Sequence, residues 1–136
     1  MNPILLDTHA VMWMAEDRLR REPARQVEEA ATRNELLISP ISAWEIGMLI
    51  SRRRLFLAMA AEEYIRVLFS QPGVVVAALT PSVALAAAMI PNKPIADPAD
   101  RILIATATAY GAHLVTRDRK IHDYAKATAR LRCIAC

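Results

Sequence analysis

Five acidic residues stand at positions where carboxylate chemistry could be done. Asp7 directly follows an apolar run, Pro3–Leu6, and Asp118 follows another, Ala112–Thr116. If both runs are strands of one parallel sheet, both acids lie on its ligand side, beyond the carboxyl ends of the strands. Each could equally serve only as the cap of the helix that follows, a role Asp fills well. Glu45 sits within PISAWEIGMLI, a helical pattern whose other side chains are nearly all apolar, small or weakly polar. A carboxylate in that setting is poorly solvated, and it must find a cation, take up a proton or pair with an arginine at the rim. Asp97 and Asp100 open the segment DPADRILIATATAY. Asp97 reads as an N-cap, Pro98 as the first helical residue and Asp100 as the third, a capping-box-like start. The same two carboxylates, one turn apart, also form an edge that a metal could face.

Convergence would give these residues a common meaning. If Asp7, Glu45, Asp100 and Asp118 meet at one end of a sheet, each close pair repels by about 4 kcal/mol at ~4 Å and an effective dielectric near 20. Four such groups cannot all stay ionised without divalent cations, and an all-oxygen, carboxylate-rich set selects Mg²⁺ or Mn²⁺ over zinc. The chain carries 17 basic and 14 acidic residues, so neutralising these four leaves ten acids against 17 bases. An acidic metal site within a basic body suits a polyanion cut at a phosphate.

The elements that must position these groups are legible as alternation. Pro3–Leu6, Glu35–Ser39, Val74–Leu79, Ala112–Thr116 and Leu131–Ile134 read as short strands, apolar nearly throughout. Helical patterns separate them: Thr8–Ala15, Pro23–Arg33, Ile41–Ser51, Ala60–Phe69, Ser82–Ile90, Pro98–Tyr110 and Arg119–Thr128. Strands apolar on both sides, separated by helices, imply a parallel sheet covered on both faces. With 136 residues and no Pro/Gly/Ser-rich divider, the expectation is one three-layer α/β/α domain over residues 1–136. Gly111 reads as the C-terminal stop of the long helix.

Other classes fall away. Hydrophobic residues make up 54% of the chain, which excludes wholesale disorder. Val67–Asn92 carries no charge, but Gln71-Pro72-Gly73 and Thr80-Pro81-Ser82 divide it into pieces too short to cross a bilayer. Asp7 interrupts the apolar start, so no signal peptide is expected, and a cytoplasmic protein with no membrane contact is. Cys133 and Cys136 form neither a disulfide framework nor, lacking a second pair, a zinc site. Aromatic residues are only 5%, so nucleic-acid binding must lean on charge. Arg117, Arg119 and Lys120 bracket Asp118, which places them near any site it belongs to; Arg117 and Arg119 suit phosphate recognition. Further basic clusters, Arg18–Arg25 and Arg52–Arg54, read as solvated surface. Arg101 reads as a salt-bridge partner for one of the acids, and His9 either packs with a hydrogen bond or approaches the substrate.

LLDTH, SAWEI, DPADRILIATA and LVTRD, in that order, resemble the PIN-domain family, most closely its VapC-type toxins. The likeness spans Asp7 to Asp118. It implies a parallel-sheet α/β/α fold and Mg²⁺- or Mn²⁺-dependent hydrolysis of RNA by a ribonuclease toxin of a toxin–antitoxin pair. The family's four core acids map onto Asp7, Glu45, Asp100 and Asp118. Its small hydroxyl residue falls on Thr116, and Asp97 matches the first acid of a DPxDR variant. The resemblance also implies Asp7 and Asp100 as principal metal ligands, a cognate antitoxin and a homodimer. Surface on the Trp13–Met14 helix or the Leu55–Ala61 stretch could serve either contact. A non-catalytic metal-binding module for RNA or protein, keeping the same fold, is the alternative. Phosphatases of the haloacid-dehalogenase type fit poorly, because their second Asp is His9 here. A receiver domain would need an acid ending the third strand, which ends in Ala78-Leu79-Thr80.

Overall fold

The computed structural model describes residues 1–136. Five strands, β1 (Ile4–Leu6), β2 (Leu36–Ile38), β3 (Val74–Val76), β4 (His113–Val115) and β5 (Arg132–Ile134), form one all-parallel sheet in the order β3-β2-β1-β4-β5. Seven helices join them: α1 (Thr8–Ala15), α2 (Arg21–Thr32), α3 (Pro40–Ser51), α4 (Ala61–Phe69), α5 (Pro81–Ala88), α6 (Pro98–Tyr110) and α7 (Arg119–Thr128). The expected α/β class and layering hold, and each expected element is present with ends moved by no more than a few residues.

The three central strands are buried on both faces because successive side chains point to opposite sides. Ile4 and Leu6 of β1 join Leu36, Ile38 and Val115 in a core closed by Val11 of α1, Val27 of α2, Ile46 of α3 and Leu68 of α4. Leu5, Leu37 and Leu114 point the other way, into a second core closed by Leu103, Ile104 and Ala107 of α6 and Ile121 of α7. Helix α5 reaches the sheet only indirectly, packing against α6 through Val83, Ala87 and Ala105. Gly73 must be glycine: its φ is +81°, and a Cβ there would lie 2.1 Å from the Ala31 carbonyl oxygen.

The topology locates the site. From β1 the chain winds outward through β2 and β3, then returns to add β4 and β5 on the other side. The strand order therefore reverses between β1 and β4, the crevice where open parallel sheets bind ligands. Leu6 pairs with Val115, and the Asp7 amide donates to the Val115 carbonyl at 3.1 Å. Asp7 and Thr116 thus leave the sheet side by side. Helix α3 packs against α1 and against α6, so it crosses this end of the sheet. No helix is long and apolar enough to cross a membrane.

Candidate active site

Asp7, Glu45, Asp97, Asp100 and Asp118 line one cleft of about 490 Å³, together with Thr8, His9, Trp13, Leu103 and Arg117. The five carboxylates come from four elements, the ends of α1, α6 and α7 and the middle of α3.

Three of them settle the choice between cap and cleft by doing both. Asp7, Asp97 and Asp118 are the N-caps of α1, α6 and α7. In each case one oxygen, Oδ1, accepts the helix amide: from Ala10 at 2.8 Å, from Ala99 at 2.8 Å and from Lys120 at 2.8 Å. The second oxygen of Asp97 and of Asp118 accepts no hydrogen bond, and Asp7 has the Thr116 side chain beside its carboxylate. The positive ends of three helix dipoles therefore meet at this point and offset part of the crowded negative charge. The capping box expected at α6 does not close: Asp97 accepts from its own helix, but Asp100 returns no hydrogen bond. Its carboxyl points instead into the crowd of acids.

The consequence appears in the ionisation. Burial, followed by the charges of Asp97, Asp118, Glu45 and Asp7, pushes the Asp100 carboxyl up to about 7. Burial likewise raises Asp7, with the Thr116 side chain and the Ala10 amide pulling the other way. Glu45 is raised by burial and opposed by a hydrogen bond from Thr8. That bond is one end of a buried relay in which Ser42 donates to Thr8 at 3.0 Å and Thr8 donates to Glu45 Oε1. Thr8 has a single hydroxyl proton, so giving it to the carboxylate fixes the direction of both bonds.

At the rim, the Arg117 guanidinium lies 3.9 Å from the centroid of the Trp13 ring and donates to the Cys136 carbonyl at 2.9 Å. His9 packs on the other partner of this stack, its ring 5.6 Å from that of Trp13. His9 therefore lines the cleft, is exposed and packs on an aromatic ring, without the hydrogen-bonded burial that was one expectation. Thr116 is fully buried behind Asp7, and its hydroxyl accepts the Asp118 amide at 3.1 Å. Arg119 lies outside the cleft, in an adjoining groove of about 230 Å³ that it shares with Arg20, Arg117, His122 and Lys126.

Three sequence expectations are corrected. Arg101 pairs with no acid: the residue is 8% exposed, and its guanidinium donates to the carbonyls of Ala87 and Ala88, away from the cleft. Trp13 and Met14 are half-buried against the core and offer no open apolar face, whereas Phe56 and Met59 in the following stretch are exposed. Arg20, grouped with solvated surface, instead lines the basic groove beside Arg117. Two contributors escaped the sequence reading altogether, Thr8 and the Trp13–Arg117 stack. The only signal for Thr8 was a hydroxyl directly after a strand-end acid.

No three acids, histidines or cysteines stand close enough together to enclose one ion as they are placed. The fit to a cation is therefore one of charge and donor type: hard oxygens, mutually repelling, with spare lone pairs toward one space.

A PIN-domain family profile matches residues 4–127. The chain belongs to the PIN-domain family. Ribonuclease VapC22 of Mycobacterium tuberculosis (strain ATCC 25618 / H37Rv) is 33% identical over 126 residues, spanning 91% of this chain and 93% of its own, which bears out the expected VapC-type likeness. Among solved structures, VapBC2 from Rickettsia felis bound to a DNA fragment from their promoter matches at a TM-score of 0.70 and 15% identity over 97% of both chains. That likeness is one of fold, and it agrees with the five-stranded parallel sheet of this PIN domain.

Proposed function

We propose that this PIN domain, residues 1–136, is a metal-dependent endoribonuclease and the toxin of a toxin–antitoxin pair. One observation carries the reading: five carboxylates from four elements face one cleft, where burial and then the neighbouring charges raise the carboxyl of Asp100 to about 7. Capping accounts for Asp7, Asp97 and Asp118, but the half-buried carboxyls of Glu45 and Asp100 added to them make a crowd of negative charge that a dication would relieve. Mg²⁺ or Mn²⁺ is the cofactor that fits, since Mg²⁺ is often held by only one or two carboxylates with water filling the rest of its shell. Asp7 and Asp100 would hold the principal ion, with Glu45 and Asp118 completing the site through water or a second ion. Such an ion, when bound, lowers the pKa of water and stabilises charge on phosphate oxygens.

The chain's own part is positioning. Asp7 is locked by the Ala10 amide and backed by Thr116, so its orientation is set before any ligand arrives. Glu45, oriented by Thr8, is placed to align the attacking water and take its proton. Asp118 is its counterpart from the β4 side. Arg117 sits over the Trp13 ring and is placed to offer its free N–H groups to the substrate phosphate; Arg119 extends the contact along the basic groove. In-line displacement of the 3′ oxygen leaves 5′-phosphate and 3′-hydroxyl ends and makes no use of the 2′-hydroxyl.

The names of the VapC22 and VapBC2 relatives support an antitoxin as partner. Exposed Phe56 and Met59 on one side, and Leu85 and Met89 along α5 on another, are apolar surface for an antitoxin and for a second copy of the chain. The test is cleavage of RNA by the purified, antitoxin-free protein, with the ends sequenced. Mg²⁺ or Mn²⁺ should support cleavage, Asp7→Asn and Asp100→Asn should abolish it, and a 2′-deoxy residue at the cut should not. Full activity in excess EDTA would overturn the metal assignment.

A further inference from the structure

We propose that the groove on the α3 side of the acidic cleft is a nucleobase subsite, with the Trp44 indole as its stacking platform. This inference rests on the ribonuclease reading and specifies how the strand is held beside the cut. The groove has a volume of about 270 Å³, and it shares His9 and Glu45 with the cleft, so the two are continuous. Trp44, Met48 and Arg52 form one of its walls, and Pro98 opens the other. Trp44 and Met48 lie four residues apart on α3, and Arg52, its C-cap, continues the same stripe away from the acids.

Trp44 is 59% exposed, although it neighbours the half-buried Glu45. The chain has two tryptophans. Trp13 is engaged by Arg117 and His9, whereas Trp44 has no aromatic or cationic partner. A wide, flat, unpartnered indole at the lip of a phosphate-cleaving site offers what an unstacked base seeks, a π-face with an apolar floor, here supplied by Met48. Arg52 lies at the far end of the stripe, placed for the next phosphate. The opposite side of the cleft has a different composition: Arg20, Arg119 and Lys126 line its groove, and its one ring, His122, is held by the Thr116 carbonyl. The strand is therefore held asymmetrically, by a base on the Glu45 side and by its backbone on the Arg117 side.

Fluorescence titration tests this directly. In full-length Asp100→Asn, which should bind RNA without cutting it, Trp13→Phe leaves Trp44 as the sole indole while keeping a ring beneath Arg117. With Mg²⁺ present, a twelve-nucleotide oligoadenylate should quench Trp44, and an abasic sugar–phosphate oligomer of the same length should not. Trp44→Ala should weaken oligoadenylate binding roughly five- to a hundredfold, the range spanned by one base–aromatic stack. It should leave the salt dependence and the abasic oligomer's affinity unchanged, and Trp44→Phe should retain most of the affinity. Equal quenching by the abasic oligomer, or undiminished oligoadenylate binding by Trp44→Ala, overturns the proposal and leaves the groove to a polypeptide segment. Cleavage by the unsubstituted chain that continues at full rate in Trp44→Ala also overturns it, with the ribonuclease reading intact. If the unsubstituted chain neither binds nor cuts RNA, both fall together.

Discussion

Asp100 and Arg101 are consecutive residues of α6, and the fold treats their charges in opposite ways. Arg101 is buried, and every nitrogen of its guanidinium is hydrogen-bonded: Nε donates to the Ala87 carbonyl at 3.0 Å, one terminal nitrogen to Ala88 at 2.6 Å, and the other to the Ile95 carbonyl and to Asn92. It ties the carbonyl end of α5 to the loop before α6, where a cation also complements the helix dipole. Asp100 receives no hydrogen bond from the protein and is surrounded by like charge. One charge is spent on holding the structure together, and its neighbour is kept unsatisfied at a cost. A group left in that condition needs a ligand, which is why the contrast bears on function.

Substituting each member should separate the two roles, and the largest effect belongs to Asp100. Asp100→Asn should reduce RNA cleavage by a factor of about 10³ or more, equivalent to roughly 4 kcal/mol of barrier. The same change removes a repelling charge, so metal-free protein should become more stable in urea, not less. A variant that loses activity together with stability would place Asp100 in the same class as Arg101.

Arg101→Met is the converse and comes next in size. It strands the carbonyls of Ala87, Ala88 and Ile95, which should cost about 3 kcal/mol of unfolding free energy and lower Tm by roughly 10 °C. Cleavage per folded molecule should barely change. A specific loss of activity in a fully folded Arg101→Met would show that the two residues are not independent.

Acidity gives a third test of the unsatisfied charge. Asp100 has its ordinary value of 3.8 when unfolded and about 7 when folded, so between those values the folded state holds more protons. Stability contributed by the protonated form is complete below 3.8 and is lost as pH rises through 7. The metal-free chain should therefore be less stable at pH 8 than at pH 5, by about 1–2 kcal/mol once solvent screening on the open side is counted. Asp7 and Glu45, also raised, act in the same direction. Millimolar Mg²⁺ or Mn²⁺ should recover the loss at pH 8 and add little at pH 5 in thermal melts. A dication effect equal at both values would separate metal binding from these acids.

The contrast between the two residues also marks what the sequence could reveal. The strands were legible because β1, β2 and β4 are apolar on both faces. The starts of α1, α6 and α7 were legible because an Asp precedes each, so the acids and the helices that aim them came from the same signal. That local signal does not extend to partners. Arg101 beside Asp100 suggested an ion pair, yet one helical step turns it toward α5, and only the packing of α5 on α6 decides that. The Arg117–Trp13 stack joins residues brought together by β4 lying next to β1, a pairing no local pattern encodes. Trp13 and Met14 likewise gave the same apolar pattern whether they faced solvent or core.

Glu45 lies between the two extremes and yields the smallest test. Its carboxyl is raised by burial, as Asp100's is, but Thr8 supplies one hydrogen bond, as the carbonyls do for Arg101. Thr8→Val keeps the shape of the side chain and removes the hydroxyl that Ser42 donates to and Glu45 accepts from. Two buried polar groups then lose their partner, a cost of about 1–2 kcal/mol in stability. The carboxylate, no longer supported, should hold its proton to higher pH. If Glu45 must be ionised to align the attacking water, the acid limb of the cleavage profile should move up by roughly one pH unit, with the rate at high pH nearly retained. An unmoved acid limb in a folded Thr8→Val would assign that duty to Asp118, whose support comes from the α7 amides and not from Thr8.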